Sequence, residues 1–290
     1  MRYYKSLLVL ILFGTGVFVL QNGCGGASYR EDAGEVISQI QANEYFSPTS
    51  PITSLNYQVE FEEGAKPYVG YRKSSAVHTG TAFVGIQWWR IFGLNMEKLF
   101  EKRIQQHNFK LYTPDDQYIN SKTAFPGNSG LSKKGQSRST NEIIDLGRQL
   151  KNSDTSTGRA VIILFLNGYY EGNRNILGVS FGGTSIIALF KEVIENGLFD
   201  EKEQVEQAVL VHEAGHALGL VNNGVPMKAL HEDTIYDPAK KAHCSNDQCV
   251  MFWSVNTVSN IPDRIKKRVM FTPEILFGQE CFDDVHNYTP

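Results

Sequence analysis

Residues 201–219 read EKEQVEQAVLVHEAGHALG, and the fold that we expect is built around this segment. Its apolar residues recur at helical spacing, and Asp200 with Glu203 forms the capping-box pattern that begins many helices. We therefore predict a helix over about 201–219. His212 and His216 are four residues apart within it, so both imidazoles project from one helix face and can meet one metal ion.

Glu213 lies between these two histidines and completes the pattern His-Glu-x-x-His, which is typical of zinc sites. Zn²⁺ accepts neutral imidazole nitrogens at ~2.0–2.1 Å, and a catalytic zinc site keeps one position for water. A carboxylate beside that position can accept a proton from the water and pass it to a leaving amine. Because these three polar side chains are costly to bury in an apolar helix, the pattern predicts a catalytic zinc site with Glu213 as general base.

A tetrahedral site that holds water needs a third protein ligand. The stretch from His212 to Gly219 resembles the metzincin peptidases, in which a third His follows three residues after that Gly. Here that position is Asn222, a poor zinc ligand. Further along, residues 243–251 read HCSNDQCVM, which is similar to the archaemetzincin branch, where the third metal His directly precedes a Cys.

This resemblance implies that residues 222–242 are an insertion and that His243 is the third zinc ligand. It also implies that Met251 forms the turn beneath the metal, where a Met packs under the imidazoles as apolar support. The insertion changes the spacing between ligands, so His231 remains a rival third ligand. The neighbouring carboxylates of Glu232 and Asp233 are further alternatives.

The cysteines leave two interpretations open. Archaemetzincins hold a second, structural zinc with the two Cys of this motif and a later Cys-x-x-Cys pair. This chain has Cys281, but Asp284 stands where the last Cys of that pair would be. Either Cys244 and Cys249 form a local disulfide, which an oxidising compartment permits, or Cys244, Cys249 and Cys281 bind a second metal with His286.

The N-terminus has the pattern of an export signal over residues 1–23. Arg2 and Lys5 precede an apolar run from residue 7 to 20, which is short for a membrane span. The run ends before Cys24, and this junction resembles a bacterial lipoprotein signal, in which such a Cys is acylated. We therefore predict an exported, membrane-anchored lipoprotein lipidated at Cys24; ordinary signal cleavage with secretion and an uncleaved anchor are the alternatives.

The remaining chain predicts one α+β domain. Residues 24–52 are rich in Gly, Ser, Asn and Gln and are interpreted as a spacer or pro-segment, followed by a metallopeptidase domain over 53–290. The resemblance implies a zincin-like fold, with a mixed twisted sheet, the active-site helix and a mostly irregular C-terminal subdomain. The other predicted elements are strands at 57–62, 81–92, 160–166, 176–180 and 185–189, helices at 95–107 and 141–150, and a long loop over 113–140.

These features predict a zinc-dependent endopeptidase that acts on a peptide or protein substrate. In the metzincins an edge strand upstream of the zinc helix pairs with the substrate, and residues 176–180 are the best candidate, although an internal strand fits them equally. The formal net charge of −3 gives no reason to expect a nucleic-acid partner. Two other functions remain: a non-metzincin zinc aminopeptidase or gluzincin, and a non-catalytic, zinc-stabilised surface binding lipoprotein.

Overall fold

The fold is known from a computed structural model, which describes residues 26–27, 41–68, 71–72, 86–126, 133–197, 202–235, 242–256 and 275–290. The predicted export signal over 1–23 and Cys24 lie outside the described residues. Among the described residues, none of the helices combines the length and apolar character that a bilayer crossing requires.

The strands of the described chain form one main sheet and two small ribbons. In chain order they are β1 Gly26–Ala27, β2 Ser54–Phe61, β3 Tyr71–Arg72, β4 Ile86–Gln87, β5 Lys110–Tyr112, β6 Ser137–Arg138, β7 Gly158–Leu166, β8 Tyr169–Tyr170, β9 Gly178–Phe181 and β10 Ile186–Phe190. Five strands build the main sheet in the order β9-β10-β7-β2-β5, and the two-residue β1 adds to the free side of β9. Only the β9–β10 pair is antiparallel, so the sheet is mixed.

The helices cover this sheet and position the site. They are α1 over 41–46, α2 Trp88–Leu99, α3 Glu101–His107, α4 Asp116–Ser121, α5 Thr140–Leu150, α6 Lys191–Asn196, α7 Lys202–Ala217 and α8 Gln279–His286, with a 3₁₀ turn at Trp253–Asn256. Helices α5 and α6 pack on β7, while α7 packs on β9, β10 and α2. The predicted α+β class with a mixed sheet is therefore confirmed.

Strand β7 is the centre of the sheet, as its continuous apolar sequence predicts. Every residue from 160 to 166 is buried, and β10 and β2 pair with it on either side in parallel. A strand that reads as an unbroken run of Val, Ile, Leu and Phe needs apolar cover on both faces. The predicted strands over 57–62 and 185–189 match β2 and β10 to within a few residues.

Of the strand predicted over 81–92, residues 81–85 lie outside the described residues and 86–87 form β4. The prediction is wrong from residue 88 onward. Helix α2 begins at Trp88 and continues through the start of the helix predicted over 95–107. Trp89, Phe92, Met96 and Leu99 are all buried, and their spacing of three to four residues matches one helix face. The aromatic and β-branched content of this segment indicates a strand locally, but packing against α7 selects the helix.

Residues 41–52, the C-terminal part of the segment interpreted as a spacer or pro-segment over 24–52, pack on the folded core. Tyr45, Phe46 and Ile52 are buried. The Tyr45 hydroxyl lies 2.9 Å from Ser185 Oγ in the turn between β9 and β10. The Arg103 guanidinium donates to the carbonyls of Ser47 and Ile52.

Irregular structure was predicted for the loop over 113–140 and for the C-terminal subdomain, and the structure differs from the first prediction. The segment predicted as a loop over 113–140 contains α4, which Asp115 caps by accepting a hydrogen bond from the Tyr118 N–H at 2.6 Å. The region after α7 is mostly irregular in its described part, where the 3₁₀ turn and α8 are the only helical pieces. Isolated bridges from Cys244 to Glu232 and to Phe252 tie this region together.

Candidate metal centres

Helix α7 carries the His-Glu-x-x-His pattern in its last turns and is buried along almost its whole length. Its observed span, Lys202–Ala217, agrees with the helix predicted over about 201–219. Gly219 follows it with a φ of 86° and donates its N–H to the His216 carbonyl at 3.0 Å. This left-handed conformation is costly for residues with a side chain, so Gly at this position lets the chain leave the helix sharply.

Three imidazoles meet at the end of this helix. The Nε2 atoms of His212 and His216 are 3.0 Å apart, and one ring nitrogen from each of His212, His216 and His243 lies within 4.8 Å of the others. All three side chains are buried. Two nitrogens bound to one tetrahedral zinc at ~2.0–2.1 Å are about 3.3 Å apart, so this spacing fits a shared ion.

The surroundings keep the imidazoles of His212 and His216 neutral, which is the form that binds metal. Burial and the neighbouring His243 lower the pKa of His212 to about 3, and burial with both neighbours holds the pKa of His216 well below its usual range. His212 Nδ1 donates to the Val250 carbonyl at 2.7 Å when its proton lies there. That hydrogen bond selects the tautomer whose Nε2 faces the other two rings.

Glu213 is buried beside the imidazoles and hydrogen-bonds to Ser180 of β9. Burial raises the pKa of the Glu213 carboxyl to about 8, and the Ser180 hydrogen bond opposes that rise. The strand approaches the helix closely here: a Cβ at Gly178 would lie 2.8 Å from Val209 Cγ1 and 3.0 Å from Glu213 Cγ. Ser180 is therefore a site residue that the sequence gives no local signal for.

Met251 packs against the zinc-motif helix at Gly215. A Cβ at position 215 would clash with the Met251 sulfur and lie 3.2 Å from its Cε and 3.1 Å from Phe277 Cε1. The missing side chain at Gly215 thus makes room for the Met251 thioether, which is fully buried. The structure places this residue next to the helix turn between His212 and His216.

A second cluster of potential metal ligands lies directly after His243. Cys244, Cys249 and Cys281 are buried thiols, and the structure contains no disulfide among these described cysteines. Cys249 Sγ lies 3.6 Å from Cys281 Sγ, and His231 Nδ1 lies 3.3 Å from Cys244 Sγ. A disulfide requires sulfurs ~2.05 Å apart, whereas two sulfurs on one tetrahedral zinc are about 3.8 Å apart. The 3.6 Å between the Cys249 and Cys281 sulfurs fits two thiolates on one ion. Cys244 and Cys249, the pair predicted as a local disulfide, are both free thiols in the structure.

The imidazole of this second cluster comes from His231, not from His286. His286 Nε2 lies 3.0 Å from the Lys98 carbonyl, away from the thiols. His231 Nε2 lies 2.7 Å from Asp284 Oδ2, and both side chains are buried. Burial opposes protonation of His231, but Asp284 and Cys244 raise its pKa to about 10. Metal binding through Nδ1 would therefore displace a proton, while Asp284 continues to orient the ring.

Backbone N–H groups point at the sulfurs of this cluster. Those of Gly278 and Met251 donate to Cys249 Sγ at 3.1 and 3.4 Å, and the Asn246 N–H donates to Cys244 Sγ at 3.4 Å. Burial raises the pKa of the Cys249 thiol, but the hydrogen bonds that it accepts outweigh burial and lower it. Such an environment stabilises thiolate, the form that binds metal.

Sequence reasoning therefore found the ligand types but not every partner. His231, weighed as a rival third ligand of the first site, lies in the second cluster, and Asp284 hydrogen-bonds to its ring. Comparisons with protein-family models, with curated proteins and with solved structures found no match to this chain.

Proposed function

We propose that this chain is a zinc-dependent endopeptidase of the zincin type, with a metzincin-like site. The observation that carries the proposal is the convergence of three buried imidazoles beside a buried carboxylate. Within the described part of the chain, no fourth His, Cys, Asp or Glu joins this group. A zinc ion bound by three protein ligands keeps one coordination position for a reacting molecule, and this is typical of catalytic zinc.

The residues take distinct roles in this proposal. His212, His216 and His243 hold the ion, and the Val250 carbonyl orients the first of them. Zinc in such a site polarises a peptide carbonyl and makes water more acidic. Glu213 accepts the proton of the attacking water and returns it to the leaving amine. Burial raises the pKa of its carboxyl to about 8, and a neighbouring divalent ion would favour the ionised form that a base requires.

Substitution of Glu213 by Gln tests this proposal directly. The amide keeps the shape of the side chain but cannot accept a proton, so we expect bound zinc to stay at the wild-type level. Peptide cleavage should fall by about 10²-fold or more, the range that general base catalysis supplies. Glu63→Gln, at an exposed position, is the matched control and should leave both measurements unchanged. Cleavage that persists in Glu213→Gln would show that another group is the base.

The alternative functions are less well supported by the arrangement of ligands. A gluzincin uses a carboxylate as third ligand, whereas the third group here is the imidazole of His243. A non-catalytic zinc protein would need a fourth protein ligand at this site and has no use for a buried Glu213. Zinc retained without any chelator-sensitive cleavage of peptides would nevertheless favour the binding-protein alternative.

We also propose a second, structural zinc held by Cys244, Cys249, Cys281 and His231. His231, Cys244 and Cys281 form one group of possible ligands, and Cys249 Sγ lies 3.6 Å from Cys281 Sγ. With Cys249 as the fourth ligand, a tetrahedral shell would be complete and would leave no position for substrate. It would tie the segment after α7 to helix α8, which carries Cys281. This ion and the catalytic one are the cofactors that we assign to the chain.

Export and lipidation at Cys24 remain proposals that rest on the sequence. The partners that follow from them are a peptide or protein substrate and, through the lipid, a membrane. Expression with a radiolabelled fatty acid tests this point: label should enter the wild-type protein and be absent from Cys24→Ser. Equal labelling of both proteins would exclude Cys24 as the acylated residue.

A further inference from the structure

Glu232 lies in the segment that runs beside the third imidazole of the proposed catalytic site. An isolated antiparallel bridge pairs Glu232 with Cys244, the residue after His243. The Oε1 atom of Glu232 accepts a hydrogen bond from the Ala242 N–H at 2.8 Å. Among the described residues, Glu232 belongs to neither group of possible metal ligands. Its carboxylate therefore binds the main chain directly before His243.

Ala242, which donates this hydrogen bond, has a left-handed backbone conformation with a φ of 72°. This conformation brings the Cβ of a residue close to the carbonyl oxygen that follows, so it costs free energy for every residue except glycine. Asn and Asp can offset the cost with local hydrogen bonds of their side chains, but alanine has no polar side-chain atom. Contacts from other residues must hold Ala242 in place, and Glu232 supplies one of them.

The backbone angles at Ala242 determine where the His243 imidazole lies. A rotation about φ of residue 242 moves all of the chain that follows, and His243 is the first residue in it. The main chain after the His243 Cα is held separately, because the His243 carbonyl accepts a hydrogen bond from the Asp233 N–H at 2.7 Å. Glu232 and Asp233 thus hold the main chain on the two sides of the His243 side chain.

We propose that Glu232 is a positioning residue for the third zinc ligand. Its carboxylate holds Ala242 in the left-handed conformation that presents the His243 imidazole to the other two. This inference rests on the proposed catalytic zinc site and adds to it a residue outside the His-Glu-x-x-His pattern. Without the Glu232 acceptor the backbone at 242 would relax, and zinc binding would have to restore the conformation. Loss of a group that orients a metal ligand weakens binding by about 10–100-fold, and we expect about 10-fold because Glu232 acts through the main chain.

The test compares Glu232→Ala and Glu232→Gln in the full chain. Competition with a coloured chelator measures zinc affinity, and X-ray absorption of the retained zinc identifies its site, because Zn–S distances are ~2.3 Å and Zn–N distances ~2.0–2.1 Å. Glu232→Ala should lose zinc from the imidazoles at about 10-fold lower chelator concentration than wild type. It should keep the sulfur-bound ion, which shows that the variant is folded. Glu232→Gln should match wild type, because the amide oxygen can accept the same hydrogen bond.

Two further variants separate a conformational role from other roles. Glycine adopts positive φ without steric cost, so Ala242→Gly in the Glu232→Ala background should recover part of the lost zinc affinity. Glu171 also accepts a main-chain N–H, that of Thr140 at 3.0 Å, and Glu171→Ala is therefore the matched control that should bind zinc like wild type.

The outcomes distinguish this inference from the proposed function. Wild-type zinc affinity in Glu232→Ala, with peptide cleavage intact, would overturn the inference alone. An equal loss of affinity in Glu232→Gln and Glu232→Ala would also overturn it, because the negative charge and not the hydrogen bond would then be responsible. A wild-type protein that binds no zinc at the imidazoles would overturn both the inference and the proposed function.

Discussion

The two metal-ligand clusters meet at one peptide bond, between His243 and Cys244, yet they differ in how completely protein fills them. The first cluster offers three imidazoles with Glu213 beside them. The second groups the thiols of Cys244 and Cys281 with the His231 imidazole, with Cys249 Sγ 3.6 Å from Cys281 Sγ and the Asp284 carboxylate behind His231. Three ligands leave a position for chemistry, whereas four ligands close the shell. In the proposed arrangement, His243 binds the ion of the reactive site, and the next residue, Cys244, binds the ion of the structural site.

The second cluster, around Cys244 and His231, also explains how His243, which is distant from α7 in the sequence, reaches the imidazoles of the first cluster. The Asp233 N–H donates to the His243 carbonyl and the Ser245 N–H donates to the His231 carbonyl, both at 2.7 Å. These bonds pair the segment around His231 with the segment around His243. A metal held by Cys244 and His231 would therefore fix the backbone that presents His243 to the other two imidazoles.

The largest effect on stability is expected when Cys281→Ser removes one thiolate ligand from the second cluster. Structural zinc contributes ~10 kcal/mol or more of apparent binding free energy in small zinc domains, so loss of one thiolate should lower the free energy of unfolding by several kcal/mol. Bound zinc should fall by at least one ion per chain. Thermal unfolding and metal analysis give both values, and Cys24→Ser is the control that should keep the metal. An unchanged melting temperature and metal content would contradict the proposed second zinc ion.

Separate loss of the two ions is the next expectation. His243→Ala should remove the catalytic ion and reduce cleavage to the level of Glu213→Gln, with most of the thermal stability kept. His231→Ala should instead release the structural ion and lower the melting temperature, while His286→Ala should retain both ions because its imidazole contacts the Lys98 carbonyl. Metal analysis and unfolding of the three variants decide between them. Loss of cleavage in His231→Ala with stability unchanged would assign this residue to the catalytic site.

Gly215→Ala tests the packing beneath the open site. The added methyl meets the Met251 thioether and the Phe277 ring, so we expect a loss of about 1–3 kcal/mol in unfolding free energy, the usual cost of overpacking. Gly93→Ala in α2 is the matched control, because its methyl would meet only Thr113 Oγ1, at 3.3 Å. The control should be neutral or slightly stabilising, since Ala favours helix. Denaturant unfolding of both variants measures the difference, and equal stabilities would contradict the packing assigned to Met251.

The smallest expected effect concerns the carboxylate behind His231. Asp284→Asn should weaken metal binding at the closed cluster by about 10–100-fold, as is usual when a group that orients a metal-binding His is lost. Asp283→Asn changes the neighbouring carboxylate, which accepts a hydrogen bond from Gln279 and not from His231. Competition with a coloured chelator measures both affinities. A larger loss in Asp283→Asn than in Asp284→Asn would reverse the roles that we assign.

The sequence predicts those parts of the fold that local patterns encode. Helix α7 follows from apolar spacing and the glycine at its end, and β7 follows from an unbroken apolar run. Both signals lie within one element, so no knowledge of distant contacts is needed. Helix α2 was missed at its start because Trp89 and Phe92 are strand-forming types whose helical spacing becomes decisive only when α7 packs on them.

Partners that are distant in the sequence could not be predicted in this way. His231 and Asp284 are 53 residues apart, and the Tyr45 and Ser185 hydroxyls belong to residues 140 apart. Neither pair has a periodic spacing or a sequence motif from which the contact could be predicted. The imidazole and thiol types themselves were visible, but the cluster that each joins depends on how the segment after α7 folds back.

The most direct test of the central claim is zinc X-ray absorption of the purified full chain, combined with its zinc content. We predict two zinc ions per chain, with a nitrogen or oxygen shell at ~2.0–2.1 Å and a sulfur shell at ~2.3 Å that averages about 1.5 sulfurs per zinc. This average arises because three thiolates bind one ion and none binds the other. A metal-free protein, a single ion bound mainly by sulfur, or two ions that each show a sulfur-rich shell would contradict the open three-histidine site.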